Sequence, residues 1–289
     1  MNSLVCRNRL LHARLCLVAP IHWDLAEKFS KPGVGAVSYL NTVPLIWGMV
    51  HGSQQEQVDL SFAIPSTCAR EVEQGKVQIG LVPVAEVARQ GMEIVPGVGI
   101  TCLGAVRSIL LLSRLPWKEV RTVAADLGSR TSVELARVIL RERYGIEPRI
   151  LLHEPVLDKM LSIADAALII GDTALRITPE KLPFEWLDLG AEWLALTGLP
   201  MVFAVWAGKP GIPVESLRAI TNGSYEFGKA RIDQIVDQEY KKREISKQLA
   251  DRYLREHIRF DLGKNEQQGL QAFFELANLS PHATLAART

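Results

Sequence analysis

The sequence is poor in the residues that most often announce chemistry. Its 289 residues hold four cysteines and six histidines. Cys6, Cys16, Cys68 and Cys102 form no CxxC pair and have no histidine cluster beside them, so neither zinc nor a disulfide is expected, and scattered thiols fit a reducing compartment. GxGxxG, GxxxxGK followed by Ser or Thr, HExxH and GxSxG are all missing. Dinucleotide, P-loop, zinc-protease and serine-hydrolase readings therefore lose their usual grounds. An excess of charge of one sign is missing too: lysine plus arginine number 33 against 32 acidic residues, so nothing argues for nucleic acid or a polycation. No window reaches the roughly 18 apolar residues that a membrane span requires. What remains open is a small neutral or anionic partner.

The first thirty residues carry Arg7, Arg9 and Arg14 with no acid before Asp24. His12 and Arg14 interrupt the one apolar stretch that could serve as a secretory h-region, so export is not expected, and a presequence of mitochondrial type lacks its serine. Residues 1–31 read as an extension ahead of the first strand, dispensable for folding, on a cytoplasmic protein.

What is present centres on VGAVSYLNTVPLIW, from Val34 to Trp47. Val34 to Val37 is a short β-branched run flanked by glycines, which predicts a strand. Ser38, Tyr39, Asn41 and Thr42 then crowd polar groups into a turn, and Pro44 stands where a helix begins. Such a junction aims backbone N–H groups and the positive end of a helix dipole at one point, which suits a carboxylate or phosphate. Asn41 and Thr42 also suit a plain helix cap.

Alternation continues downstream. Leu60 to Ile64 reads as a strand, with Ser66 and Thr67 capping a helix to Gln74. Val77 to Val82 is a strand broken by Pro83, and Val84 to Gln90 is helical. Ile109 to Leu112, Arg121 to Ala125, Ile150 to His153 and Ala167 to Ile170 are further strands, and Ser132 to Tyr144 supplies a crossover helix. Ligands in open α/β sheets sit beyond the carboxyl ends of strands. The loops that matter are then SYLNT, PST, VPVAE, DLGSRTS and IGDTAL, with Ser38, Tyr39, Thr42, Ser66, Thr67, Pro83, Ser129, Thr131, Ser132, Gly171 and Asp172 as candidate substrate contacts. Asp126 and Asp172 also suit helix caps. Ala105 to Ser113 and Met201 to Ala207 look like strands crossing between two lobes. From Ser216 to Asn278 the pattern is helical, and the charge run Lys241 to Glu244 reads as a solvated face. The histidines are scattered, and His153 alone falls near a candidate loop.

The blocks GAVSYLNTVPLIWG, IPSTCAREVEQGKVQIGLVPVAEV, GAVRSILLLSR, LGSRTSVELAR, IIGDTAL and LGAEWLALTGLPMVFAVWAG, in this order, resemble the chorismate dehydratases of the futalosine route to menaquinone. Gln78, where that family commonly has Asp, is a departure. The resemblance implies an α/β, two-lobed fold like that of type II periplasmic binding proteins, each lobe a sheet flanked by helices, with two crossing strands as hinge and the ligand between the lobes. One lobe would take residues 32–112 with 201–289, the other 113–200. It further implies a hydro-lyase that turns chorismate into 3-[(1-carboxyvinyl)oxy]benzoate and water without a cofactor or metal. Asn41 and Ser108 match the family's active-site positions, and helix N-termini after Thr42 and at Ser129 to Ser132 would neutralise two substrate carboxylates without a cationic side chain. A small-anion receptor of the same fold, or 1,4-dihydroxy-6-naphthoate synthase, are the alternatives; the synthase should carry a histidine in these loops, and SYLNT has none.

Overall fold

The computed structural model describes residues 31–279. Residues 1–30 of the expected extension, with Cys6, Cys16, His12 and His22, and also His282, lie outside the described residues. From Gly33 to Cys102 the chain builds β1 (Gly33–Val37), α1 (Val43–His51), β2 (Asp59–Ala63), α2 (Pro65–Glu73), β3 (Ile79–Pro83), α3 (Val84–Gln90) and β4 (Glu93–Cys102). It then forms β5 (Ile109–Ser113), β6 (Thr122–Asp126), α4 (Thr131–Tyr144), β7 (Arg149–His153), α5 (Leu157–Ile163), β8 (Ala166–Ile170), α6 (Gly171–Arg176), β9 (Glu185–Asp188) and α7 (Leu189–Thr197). It returns through β10 (Met201–Gly208), α8 (Val214–Lys229), α9 (Ile232–Glu239), α10 (Lys247–Arg252), β11 (Arg259–Asp261) and α11 (Lys264–Leu276).

Two sheets result, with strand orders β11-β4-β10-β3-β1-β2 and β7-β6-β8-β5-β9. The βα repeats read from the sequence supply the parallel pairs, β1 with β2 and β3, and β6 with β7 and β8. The rest is antiparallel: β10 runs against β3 and β4, and β5 against β8 and β9. Central strands are buried along their whole length, as in IGLVP of β3, ILLLS of β5 and AALII of β8, which is why they read as unbroken apolar runs. Helices pack closely on this frame. A Cβ at Gly80 would stand 2.6 Å from the Cys68 sulfur of α2, so the glycine lets that helix settle onto the sheet. The thiols of Cys68 and Cys102 are free and buried.

Three expectations need correction. Ile109–Leu112 does not close the first lobe at residue 112; it pairs in the second sheet, since its partners β8 and β9 both come later in the chain. Met201–Gly208 lies wholly in the first sheet, so the chain passes between the sheets at 103–108 and 198–200 rather than along those strands. Ser66 and Thr67 do not cap α2: the helix starts at Pro65, which places both hydroxyls inside its first turn, and Ile64 stands at the N-cap.

Candidate active site

The loops after β1, β6 and β8, the end of β3 and the start of β5 line a cavity that is partly open to solvent. Both sheets contribute to its wall. Tyr39, Asn41 and Thr42 come from the first, Gly128 to Ser132 and Gly171 from the second, Ser108 from the segment that joins them, and Leu81, Pro83, Ile100 and Phe203 give an apolar floor. Four expected contacts are not on the wall. Ser38 is exposed and offers its carbonyl to Arg243 instead. Ser66 and Thr67 give way to Pro65, which lines the cavity ahead of them, and the Thr67 hydroxyl accepts from Arg70 at 3.2 Å. The Asp172 carboxylate accepts from the Leu40 N–H at 3.0 Å and pairs with Arg243 at 2.7 Å, so it bridges chain segments rather than facing a ligand. Arg243 therefore belongs to a half-buried ion cluster with Asp172 and Glu239, and the run Lys241 to Glu244 is not simply a solvated face.

Asn41 is not spent on capping, because no side chain caps α1, and its amide instead reaches the Tyr253 hydroxyl. Its amide oxygen has only a long contact, 3.5 Å from the Thr42 hydroxyl. On the opposite wall no side chain caps the 14-residue helix α4 either. Thr131 is occupied: its hydroxyl donates to the Phe203 carbonyl at 3.0 Å and accepts from the Ala85 N–H at 3.3 Å, tying α4 to β10 and α3. Ser129 differs. Its hydroxyl is 2% exposed and has no hydrogen-bond partner among the described residues. A buried polar atom left unpaired is costly, so a lone Oγ on a cavity wall beside an uncapped helix N-terminus marks a place for a ligand acceptor. Arg130, which the sequence reading passed over, is the charged residue of the wall and makes no ion pair among the described residues. Its signal was its position before the helix, where a cation is unusual against the dipole.

Ser108 is held from every side. Its N–H donates to Val106 at 2.8 Å, its carbonyl accepts from Gly171 at 2.8 Å, and its hydroxyl accepts from the buried Tyr253 hydroxyl at 2.8 Å. The residue before it, Arg107, sits at φ 65, a left-handed conformation that L side chains disfavour. Asp188 stabilises that bend by accepting N–H groups of Val106 at 2.9 Å and Arg107 at 2.6 Å while it also caps α7. Burial pushes the Tyr253 pKa well up, and hydrogen bonding to Ser108 and Asn41 offsets this in part. Tyr39, half-buried at the mouth, is likewise raised by burial and by the nearby charges of Asp126 and Asp172. Gly171 carries φ 62, and a Cβ there would stand 2.9 Å from the Tyr39 ring, so the glycine lets the ring pack close against it. No histidine, lysine or carboxylate lines the cavity among the described residues, and His153 is half-buried with Nδ1 2.8 Å from the Glu154 carbonyl.

A family described as menaquinone biosynthesis matches residues 32–279, nearly the whole of the two sheets and their helices. The chain belongs to that menaquinone biosynthesis family. A chorismate dehydratase of Thermus thermophilus is 28% identical over 264 residues, covering 85% of this chain and 95% of its own. Among solved structures, a protein of Archaeoglobus fulgidus superposes with a TM-score of 0.66 at 13% identity, over 86% of this chain and 96% of its own. The periplasmic aliphatic sulphonate binding protein of Escherichia coli gives 0.56 at 15% identity, over 86% and 88%. The likeness to these structures is one of fold: this member of the menaquinone biosynthesis family has the two-sheet architecture of periplasmic binding proteins. No helix among the described residues is long and apolar enough to cross a membrane.

Proposed function

We propose that this protein is a chorismate dehydratase, a hydro-lyase that converts chorismate into 3-[(1-carboxyvinyl)oxy]benzoate and water in the futalosine route to menaquinone. The observation that carries the reading is the pairing of an apolar floor with two sets of fixed polar groups. Ser108 and Asn41 stand on one side, and the uncapped start of α4 with Ser129 and Arg130 on the other. Such a site suits a ring bearing carboxylates. The dehydratase likeness in Thermus thermophilus supports the same substrate.

The reaction removes a proton from C3 and hydroxide from C4, the two leave as water, and the ring becomes aromatic. Aromatisation supplies the driving force, so the chemistry needs no redox partner. We assign Ser108 the hydrogen bond to the departing oxygen and Asn41 the orientation of the ring. Ser129, Ser132 and the N–H groups of α4 take one carboxylate, with Arg130 as the cation. The wall offers no histidine or carboxylate as base, which supports proton removal by the substrate's own enolpyruvyl carboxylate. The two sheets act as lobes that close on the substrate, one from residues 32–108 with 201–279 and the other from 109–200. We place the reaction in the cytoplasm, where the thiols of Cys68 and Cys102 stay reduced.

Incubating the purified protein with chorismate and following the aromatic product by absorbance and mass tests the reading. Product formation is expected. Binding of chorismate without turnover would return the protein to the receptors that share its fold.

A further inference from the structure

Tyr253 opens an irregular helical turn, Tyr253–His257, of the wide π type, directly after α10. Such turns are rare and recur where a side chain has to be brought to a particular place. This one grips the segment that joins the two sheets at two points: the Tyr253 hydroxyl meets Ser108 Oγ at 2.8 Å, and His257 Nδ1 lies 2.9 Å from the Ala105 carbonyl, to which it donates. Tyr253 is 1% exposed and Ser108 2%.

A serine hydroxyl has one proton to give and can accept twice. A phenol is the stronger acid of the two partners, so in their mutual bond the phenol proton is the one donated. The Ser108 proton must then point away from Tyr253. Among the described residues no protein acceptor takes it, and Ser108 lines the cavity. We propose that Tyr253 is a positioning residue that, by donating to Ser108 Oγ, turns the serine proton toward the cavity and strengthens it as a donor to the departing oxygen. This rests on the proposed dehydration. Because burial raises the Tyr253 pKa, the phenol stays protonated and the direction of donation does not reverse near neutral pH. Successive hydrogen bonds polarise one another, so Ser108 becomes a better donor than an isolated serine. The benefit is confined to the step in which oxygen gains charge, since the ground-state hydroxyl of the substrate needs less from its donor.

The test compares the parent with Tyr253→Phe, Ser108→Ala and the double variant in steady-state turnover of chorismate, with melting temperatures alongside. Tyr253→Phe keeps the ring and loses the hydroxyl. It is expected to lower kcat by about 10- to 100-fold with KM within about twofold of the parent, the pattern of an interaction made in the transition state. Added to Ser108→Ala, it should lower kcat no further, because both act through one hydroxyl. Site-specific replacement of Tyr253 by 3-fluorotyrosine makes the phenol a stronger donor without changing its shape, and should raise kcat above the parent; this arm serves if Tyr253→Phe does not fold. An active parent whose kcat is unchanged by Tyr253→Phe or by 3-fluorotyrosine, whatever the melting temperatures, overturns the inference alone. A parent that does not convert chorismate overturns the proposed reaction and this inference with it.

Discussion

Asn41 shows how a single residue's alternatives separate once its neighbours are known. A helix-capping asparagine would hold a first-turn N–H, yet α1 has no such bond. Asn41→Ala therefore loses no cap, and its cost to stability, about 0.5–1.5 kcal/mol, is that of the hydrogen bond with Tyr253. Asn41→Asp should melt with the parent and lose most turnover, because it sets a negative charge beside a dianionic substrate. A fully active Asn41→Asp protein would remove the residue from the site. Thr131 goes the other way. Its hydroxyl is spent on Phe203 and Ala85, so Thr131→Val should act first on the melting temperature, costing about 1–3 kcal/mol for the buried groups left unpaired. Arg130→Gln is expected to raise KM several-fold with little change in melting, since its guanidinium has no ion-pair partner among the described residues to lose. At this scale the sequence was legible in the type of SYLNT, a polar turn between strand and helix, but not in its partners, which lie as far off as Asp172 and Arg243. Tyr253 was not, because its partner Ser108 is 145 residues away and nothing local to either marks the contact.

Among the elements, the segment between β4 and β5 is the most consequential, because it presents Ser108 to the cavity. One carboxylate fixes it. Asp188 accepts four backbone N–H groups, those of Val106, Arg107, Gly190 and Ala191, and so joins the crossing segment to the start of α7. The Arg107 guanidinium adds bonds to the Ala174 and Ile177 carbonyls at the end of α6. Asp188→Asn keeps a single acceptor oxygen and turns an NH₂ toward a backbone donor. We expect it to lower the melting temperature and also kcat, since the bend at Arg107 loses its anchor; an unchanged kcat would show that Ser108 is held without it. The βα units were legible where a strand is an apolar run closed by Gly or Pro, as β3 is by Pro83 and β8 by Gly171. β4 was not: Pro96, Gly97 and Gly99 interrupt it, and the ladder absorbs them through irregular register with β10. β9 and β11, at four and three residues, are too short to show a period.

For the molecule as a whole, the question is what holds the two sheets closed over the cavity. The two-lobed plan followed from the resemblance, but the contacts that close it join residues 71 and 132 positions apart and could not be read from any one stretch. They converge on Asp172, which receives the Leu40 N–H from the loop after β1 and the Arg243 guanidinium from beyond α9. Arg243 reaches Asp172 because Glu239 orients it from the other side at 2.9 Å. Burial by itself would push the Glu239 carboxyl up, but hydrogen bonds and charge from Lys242 and Arg243 outweigh it and hold the group below the usual range. A carboxyl held low in the fold contributes stability above its unfolded value of about 4.3 and loses it as pH falls through the folded value, so acid should weaken the clasp. Asp172→Ala removes both bonds across the cleft without touching a cavity-lining side chain. The expected result is a larger radius of gyration in small-angle scattering and a raised KM, with kcat at saturation close to the parent, because bound substrate can still draw the sheets together. Asp172→Asn retains an acceptor for Leu40 and should fall between the two. If Asp172→Ala leaves both the radius and KM at parental values, closure is held elsewhere, and the close packing of Tyr39 against Gly171 becomes the contact that must carry it.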